Sequence, residues 1–225
     1  MKDNSSYKAE ALAALKGKWA PSVLAVIVYV VGVVIFIAPY EIKALSMDPT
    51  DLVAAKGLSK WLLFYLVGIF LVAGPLLTGM VNAFNGLLLR GDDRLVSNEI
   101  RIGFGNWLHH AWAYFLRNLY VLLWAILFII PGIVKSMAYA MTNYILVDYP
   151  ELSANRAILL SNEMMKGHKY DLFYLYLGFA GWFFLSMLTL GIGFLWLIPY
   201  AQVAQASFYQ DVKAEWEARR AVVGQ

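Results

Sequence analysis

Cysteine is absent from the 225 residues. Disulfides, thiolate metal ligands and a cysteine nucleophile are therefore excluded, and the absence fits a bacterial inner-membrane protein. Charge is scarce as well: 15% of residues are Asp, Glu, Lys or Arg, against about 25% in a typical soluble domain. From Leu172 to Gln210 there is no charged side chain at all. As one helix, at about 1.5 Å per residue, that run would be nearly twice as long as a hydrocarbon layer is thick. Gly191-Ile192-Gly193 stands near its middle. Two transmembrane helices joined by a tight turn are the simplest reading. With 61% hydrophobic residues and each group of charges set between apolar runs, the expectation is an all-α integral membrane bundle, a single helical membrane domain over 1–225.

The other apolar runs set the remaining crossings. Trp19 to Tyr40 and Trp61 to Leu89 are free of charge and span once each. Gly74-Pro75 inside the second predicts a kink or local break. A third crossing begins near Asn106 to His110 and ends at a Pro131-Gly132 turn, and Ile133 to Val147 forms a fourth. The charge-free run supplies the fifth and sixth, with Pro199 as a kink residue. Residues 1–18 lack a short apolar core with a cleavage site, so they read as an amphipathic helix rather than a signal peptide. Its expected N-cap is Ser5 or Ser6, and its buried side Tyr7, Ala11, Leu12 and Leu15. Leu152 to Lys166 is too polar to span and reads as an interfacial helix ending at Gly167. Residues 211–225 form a polar cytoplasmic tail.

Six crossings place both termini on one side. Fourteen Lys and Arg fall on that side and four (Lys43, Lys56, Lys60 and Lys135) on the other. By the positive-inside rule the termini lie in the cytoplasm. The net charge of +3 is thus assigned to orientation. No basic face remains for nucleic acid. The expected partners are the lipid bilayer and either a second membrane protein or further copies of this chain.

Several segments carry a resemblance. They are IIPGIVKSMAYAMTNYILVDYPELSANRAILLSNEMMKGHK and LFYLYLGFAGWFFLSMLTLGIGFLWLIPYAQVAQASFYQD, with LKGKW near the N-terminus and GPLLTG at Gly74 to Gly79. Together they resemble the bacterial membrane family known as domain of unknown function 975. The chain departs from its pattern at Asn162, where the family has a basic residue, and at Gly178, where it has Ser. The resemblance implies a polytopic bacterial membrane protein and no particular activity.

Arg117 draws attention first. A crossing that began after it would have only Asn118 to Ile130 before the turn, too few residues to span. It is therefore placed inside the membrane, with Asp148 as a partner within reach. Snorkelling to the headgroups is the favoured reading; a polar cavity or an anion contact is the functional one. Asn82 with Asn85, Asn143 with Thr142, and Gln202 with Gln205 supply the polar content of the second, fourth and sixth helices. Interhelical hydrogen bonds, about 0.6 kcal/mol each, are favoured over a solute path. Lys135 is expected to snorkel outward, and Gly132 with Ser136 to permit close helix approach. His109 and His110 point about 100° apart on a helix, which suits no shared metal. Asp92 and Asp93 read as a solvated, charge-balanced loop, and Gly103-Phe104-Gly105 carries no weight. No catalytic residue, cofactor or metal ligand is assigned.

Three functions remain. A non-enzymatic accessory, envelope-homeostasis or immunity-type factor ranks first, because no catalytic constellation is seen. A small-solute or lipid carrier or binding protein ranks second, and an intramembrane enzyme last. A carrier requires a polar cavity reaching the midplane; an accessory factor has a dry core; an enzyme brings titratable groups within hydrogen-bond reach.

Overall fold

A computed structural model describes residues 1–47 and 52–223, with side chains except at 52–56 and 222–223. The side assigned to the Lys56 side chain thus lies outside the described residues, as does the end of the tail. Every regular element described is a helix. Three helical stretches are long and apolar enough to cross a membrane: Trp19–Leu45, Gly57–Arg90 and Lys169–Leu188.

Helix α1 (Asn4–Leu15) is capped by Asp3, whose carboxylate accepts from the Ser5 N–H at 3.3 Å. The cap is therefore two residues before Ser5 and three before Ser6, because Asp is as good an N-cap as Ser and precedes both. Tyr7, Ala11 and Leu15 are buried as expected, whereas Leu12 is exposed. Helix α2 (Trp19–Leu45) runs past Tyr40 through Glu41 and Lys43. A charge ends an apolar run without ending a helix.

Helix α3 (Leu52–Gly68), a π turn (Ile69–Ala73) and α4 (Gly74–Arg90) follow without interruption. Instead of a break at Gly74-Pro75, the irregularity lies in the turn before it. Pro75 cannot donate to the Leu71 carbonyl and its ring crowds that group. The wider π turn takes up the mismatch. Gly91 then ends α4 at φ 64°.

Helix α5 (Leu95–Gly105) occupies a stretch read from sequence as loop. Asp92 holds its entry, accepting from the Arg94 N–H at 3.1 Å and the Asn98 amide at 2.9 Å. The helix lies directly on α4. A Cβ at Gly79 would overlap the Glu99 carbonyl, and one at Gly103 the Pro75 carbonyl. Gly103, given no weight in the sequence, is thus a point of backbone contact. Helix α6 (Trp107–Leu127) also touches α4, somewhat less closely: a Cβ on Gly74 would stand 2.7 Å from Tyr114 Cβ and 3.0 Å from the His110 carbonyl oxygen.

The turn expected at Pro131-Gly132 is made three residues earlier, by the extended Phe128. Pro131 sits in the first turn of α7 (Ile129–Ala138), where its missing N–H leaves no helical bond unmade. Gly132 instead allows α7 to approach α6; its Cβ would lie 2.7 Å from Ala125 Cα. The expected fourth crossing is not one helix. It breaks at 139–141, between α7 and α8 (Thr142–Asp148). Ser161 on α9 (Ala154–Met164) bridges the gap, accepting from the Met141 N–H at 3.2 Å and donating to the Ala138 carbonyl at 2.9 Å. Ser153 caps α9, and Gly167 follows it at φ 91°.

Helices α10 (Lys169–Leu177) and α11 (Ala180–Leu188) lead to a turn with Leu190 and Gly191 at positive φ. Helix α12 (Phe194–Val223) continues unbroken through Pro199 and joins the expected sixth crossing and tail into one rod. Its far half carries α1. Tyr7 meets the Phe208 ring edge to face at 5.6 Å and donates to Asp211 at 2.8 Å, and the Lys2 N–H donates to Asp211 at 2.7 Å.

Gly79→Ala is expected to destabilise the fold by about 1–3 kcal/mol through overpacking. Gly105→Ala, with open space around its Cβ, is expected to change it by about 0.5 kcal/mol or less. Thermal unfolding in detergent compares the two; equal melting of both variants would contradict the α4–α5 contact.

Candidate functional site

A cavity of about 320 Å³ opens among α4, α6, α7, α8, α10 and α12. Its polar wall is Arg117 and Asn118 of α6, Ser136 of α7, Asn143 and Tyr144 of α8, Tyr176 of α10, and Gln202 and Gln205 of α12. Leu77 and Val81 of α4 close one side. Four residues singled out in the sequence, Arg117, Asn143, Gln202 and Gln205, therefore share one space. The α7–α8 break borders it, since Ala140 within the interruption and Asn143 just after it line the cavity.

The remaining candidates lie elsewhere. Asn82 does not line the cavity. Asn85 is buried and accepts from the Gln210 amide at 2.9 Å, an interhelical bond between α4 and α12. Gly74, Pro75, Pro131, Gly132 and Pro199 are not among the residues that line the cavity. Lys135 stands 4.9 Å from the Trp124 ring centre.

Asp148 is not the partner of Arg117. It accepts from Lys213 Nζ at 2.6 Å and from the Tyr209 hydroxyl at 2.6 Å. Both donors are on α12, whose unbroken passage beyond the apolar run carries them to the end of α8. Arg117 has no ion pair among the described residues. Its Cζ stands 5.8 Å from the centre of the Tyr114 ring. A cation over an aromatic face contributes about 0.5–2 kcal/mol, while taking a charge out of water costs several kcal/mol per ion. The guanidinium is thus left under-compensated by the protein. Gln202 is in a similar state, its side-chain oxygen buried with no hydrogen-bond partner among the described residues.

Four wall residues were not candidates for a polar site in the sequence: Asn118, Ser136 (read only as permitting close helix approach), Tyr144 and Tyr176. Asn118 and Tyr144 adjoin residues that were, which is the one available signal. Tyr176 and Ser136 resemble any interfacial Tyr or small residue until the helices assemble.

Glu99 is a second unusual group. It is fully buried on α5, outside the three apolar spans, and neither carboxyl oxygen has a hydrogen-bond partner among the described residues. Burial pushes its carboxyl up to about 8. From Gly74 to Leu89, α4 offers no titratable side chain, and Tyr29 of α2 lies within electrostatic range.

Residues 126–216 match the model of a family described as "Protein of unknown function (DUF975)". No curated protein and no solved structure matches the chain. The matched residues cover α7 to α11 and α12 as far as Trp216. LKGKW and GPLLTG fall outside them, and so does Arg117.

Two measurements test this arrangement. A double-mutant cycle of Asp148→Asn with Lys213→Met is expected to return a coupling of about 0.5–3 kcal/mol, and one of Asp148→Asn with Arg117→Leu a coupling near zero. For Glu99, the folded state holds a proton that the unfolded chain has released above its ordinary pKa of about 4.3. Stability is then greatest below that value, falls as pH rises through the window up to about 8, and levels off above it. Glu99→Gln is expected to remove this fall in a melting series from pH 5 to 9. An unchanged slope would contradict a protonated Glu99.

Proposed function

With residues 126–216 a domain of that family, we propose that this chain is a non-enzymatic, multi-pass membrane protein that binds an anionic group in the Arg117 cavity, as a carrier or binding protein does. The observation that carries the reading is a guanidinium on a cavity wall with no carboxylate to pair it among the described residues. Amides and hydroxyls around it can donate to the same anion, and charge-assisted bonds are the strong ones. The broken helix beside the cavity supports the reading too, since unwound backbone in membrane proteins borders solute sites. An accessory factor would have a dry core, so the cavity favours binding over that first expectation.

The proposed topology has six crossings: α2, α3 with α4, α6, α7 with α8, α10 with α11, and the first half of α12. Helices α1, α5 and α9 and the far half of α12 do not cross. Both termini face the cytoplasm of a bacterial inner membrane, in keeping with the Lys and Arg distribution.

The test uses the full chain in neutral detergent at constant ionic strength. Inorganic phosphate and dodecyl phosphate serve as a soluble and an amphiphilic anion. Either is expected to raise the unfolding temperature, by about 2.7 kcal/mol of stability at a hundredfold excess over Kd. Arg117→Gln is expected to weaken that effect about tenfold or more. No shift with either probe, or an undiminished shift in Arg117→Gln, sinks the reading.

A further inference from the structure

We propose that the ligand is a membrane lipid with an acidic headgroup, its hydrocarbon chain lying in a groove that leads to Arg117. The inference rests on the cavity reading above and adds the chemical class of the ligand. A groove of about 620 Å³ runs along the membrane face between the π turn and α6. Leu66, Val67, Ile69 and Phe70 form one side, and Trp112 and Phe115 the other. Its lining is almost wholly apolar. The two polar exceptions, Tyr114 and Asn118, are the residues that join it to the cavity. Asn118 lines both spaces, and the Tyr114 ring lies under the Arg117 guanidinium.

Lipid chains cover apolar helix faces everywhere, so an apolar groove alone selects nothing. This one ends beside an unpaired cation. A zwitterionic lipid brings a positive group to that point along with its phosphate, whereas an acidic lipid brings net negative charge. A small soluble anion would leave the groove unused. A second copy of this chain would have to present a carboxylate at the depth of Arg117. Its charge-free runs, 19–40, 61–89 and 172–210, carry none. The π turn has a consequence here as well. It sets Ile69 and Phe70 into the groove wall one turn before Gly74 brings α6 into contact, in keeping with the frequent use of π bulges at functional sites.

The experiment places the full chain in phosphatidylcholine nanodiscs containing a minor fraction of phosphatidylglycerol, and native mass spectrometry counts the lipids retained. Wild type is expected to retain phosphatidylglycerol in preference to phosphatidylcholine. Val67→Trp and Leu66→Trp, at exposed groove positions, are expected to reduce that retention about tenfold and to leave stabilisation by inorganic phosphate unchanged. An acidic lipid bearing a photoreactive group in its chain gives a measurement on wild type alone. It is expected to label peptides holding residues 66–70 or 112–118. Undiminished retention in both folded Trp variants, or labelling elsewhere, overturns the proposal. Stabilisation by inorganic phosphate without phosphatidylglycerol retention also overturns it, while leaving the cavity reading intact. If neither inorganic phosphate, dodecyl phosphate nor phosphatidylglycerol binds, both readings fall.

Discussion

Backbone meets backbone along α4, and the position of Arg117 follows from that contact. In a bilayer, apolar side chains gain little by leaving lipid for one another, so packing and close approach decide which helices associate. Gly79 and Gly103 bring α5 onto α4, and Gly74 brings α6 there. The residue that faces Gly74 on α6 is Tyr114, whose ring lies under the Arg117 guanidinium. One turn of helix thus links a contact made only with glycine to the wall of the cavity. A side chain at either Gly74 or Gly79 would push α6 or α5 outward and change what Arg117 faces.

A second constraint acts at the α7–α8 break. A buried backbone group left without a partner costs about 1–3 kcal/mol, more than the roughly 0.5–1.5 kcal/mol that a hydrogen bond contributes net. The break is therefore tolerable only where its freed groups find partners. Ser161 supplies one as acceptor and one as donor, and Thr142 donates to the Tyr139 carbonyl at 2.8 Å. Helix α9 is consequently more than a surface element. Its Ser161 is fully buried and holds two short helices in register beside the cavity.

The charges divide into two environments. At the far half of α12, acids and bases are matched: Asp148 with Lys213, Asp211 with the N-terminal segment, and Glu215 with Arg219. Because Lys213 and Tyr209 already occupy Asp148, that carboxylate is not available to Arg117. The cavity then holds a positive charge among neutral amides and hydroxyls, whereas the end of the bundle is internally compensated. This contrast is the basis of the proposed anion site.

Composition and the spacing of charge were enough to assign an all-α chain with long apolar helices. They also gave the Gly191 turn, the buried face of α1 at Tyr7, Ala11 and Leu15, and the polar helix before Gly167. These are local or compositional properties, set by residues a few positions apart. The helical character of 95–105, the turn at Phe128 in place of Pro131, the break at 139–141 and the partner of Asp148 were not legible in the same way. Each depends on a group far along the chain, such as Gly79 for α5, Ser161 for the break or Lys213 for Asp148. Arg117 shows both sides of the matter: its place within an apolar helix can be counted from the residues around it, but what it faces is set by where five other helices pack.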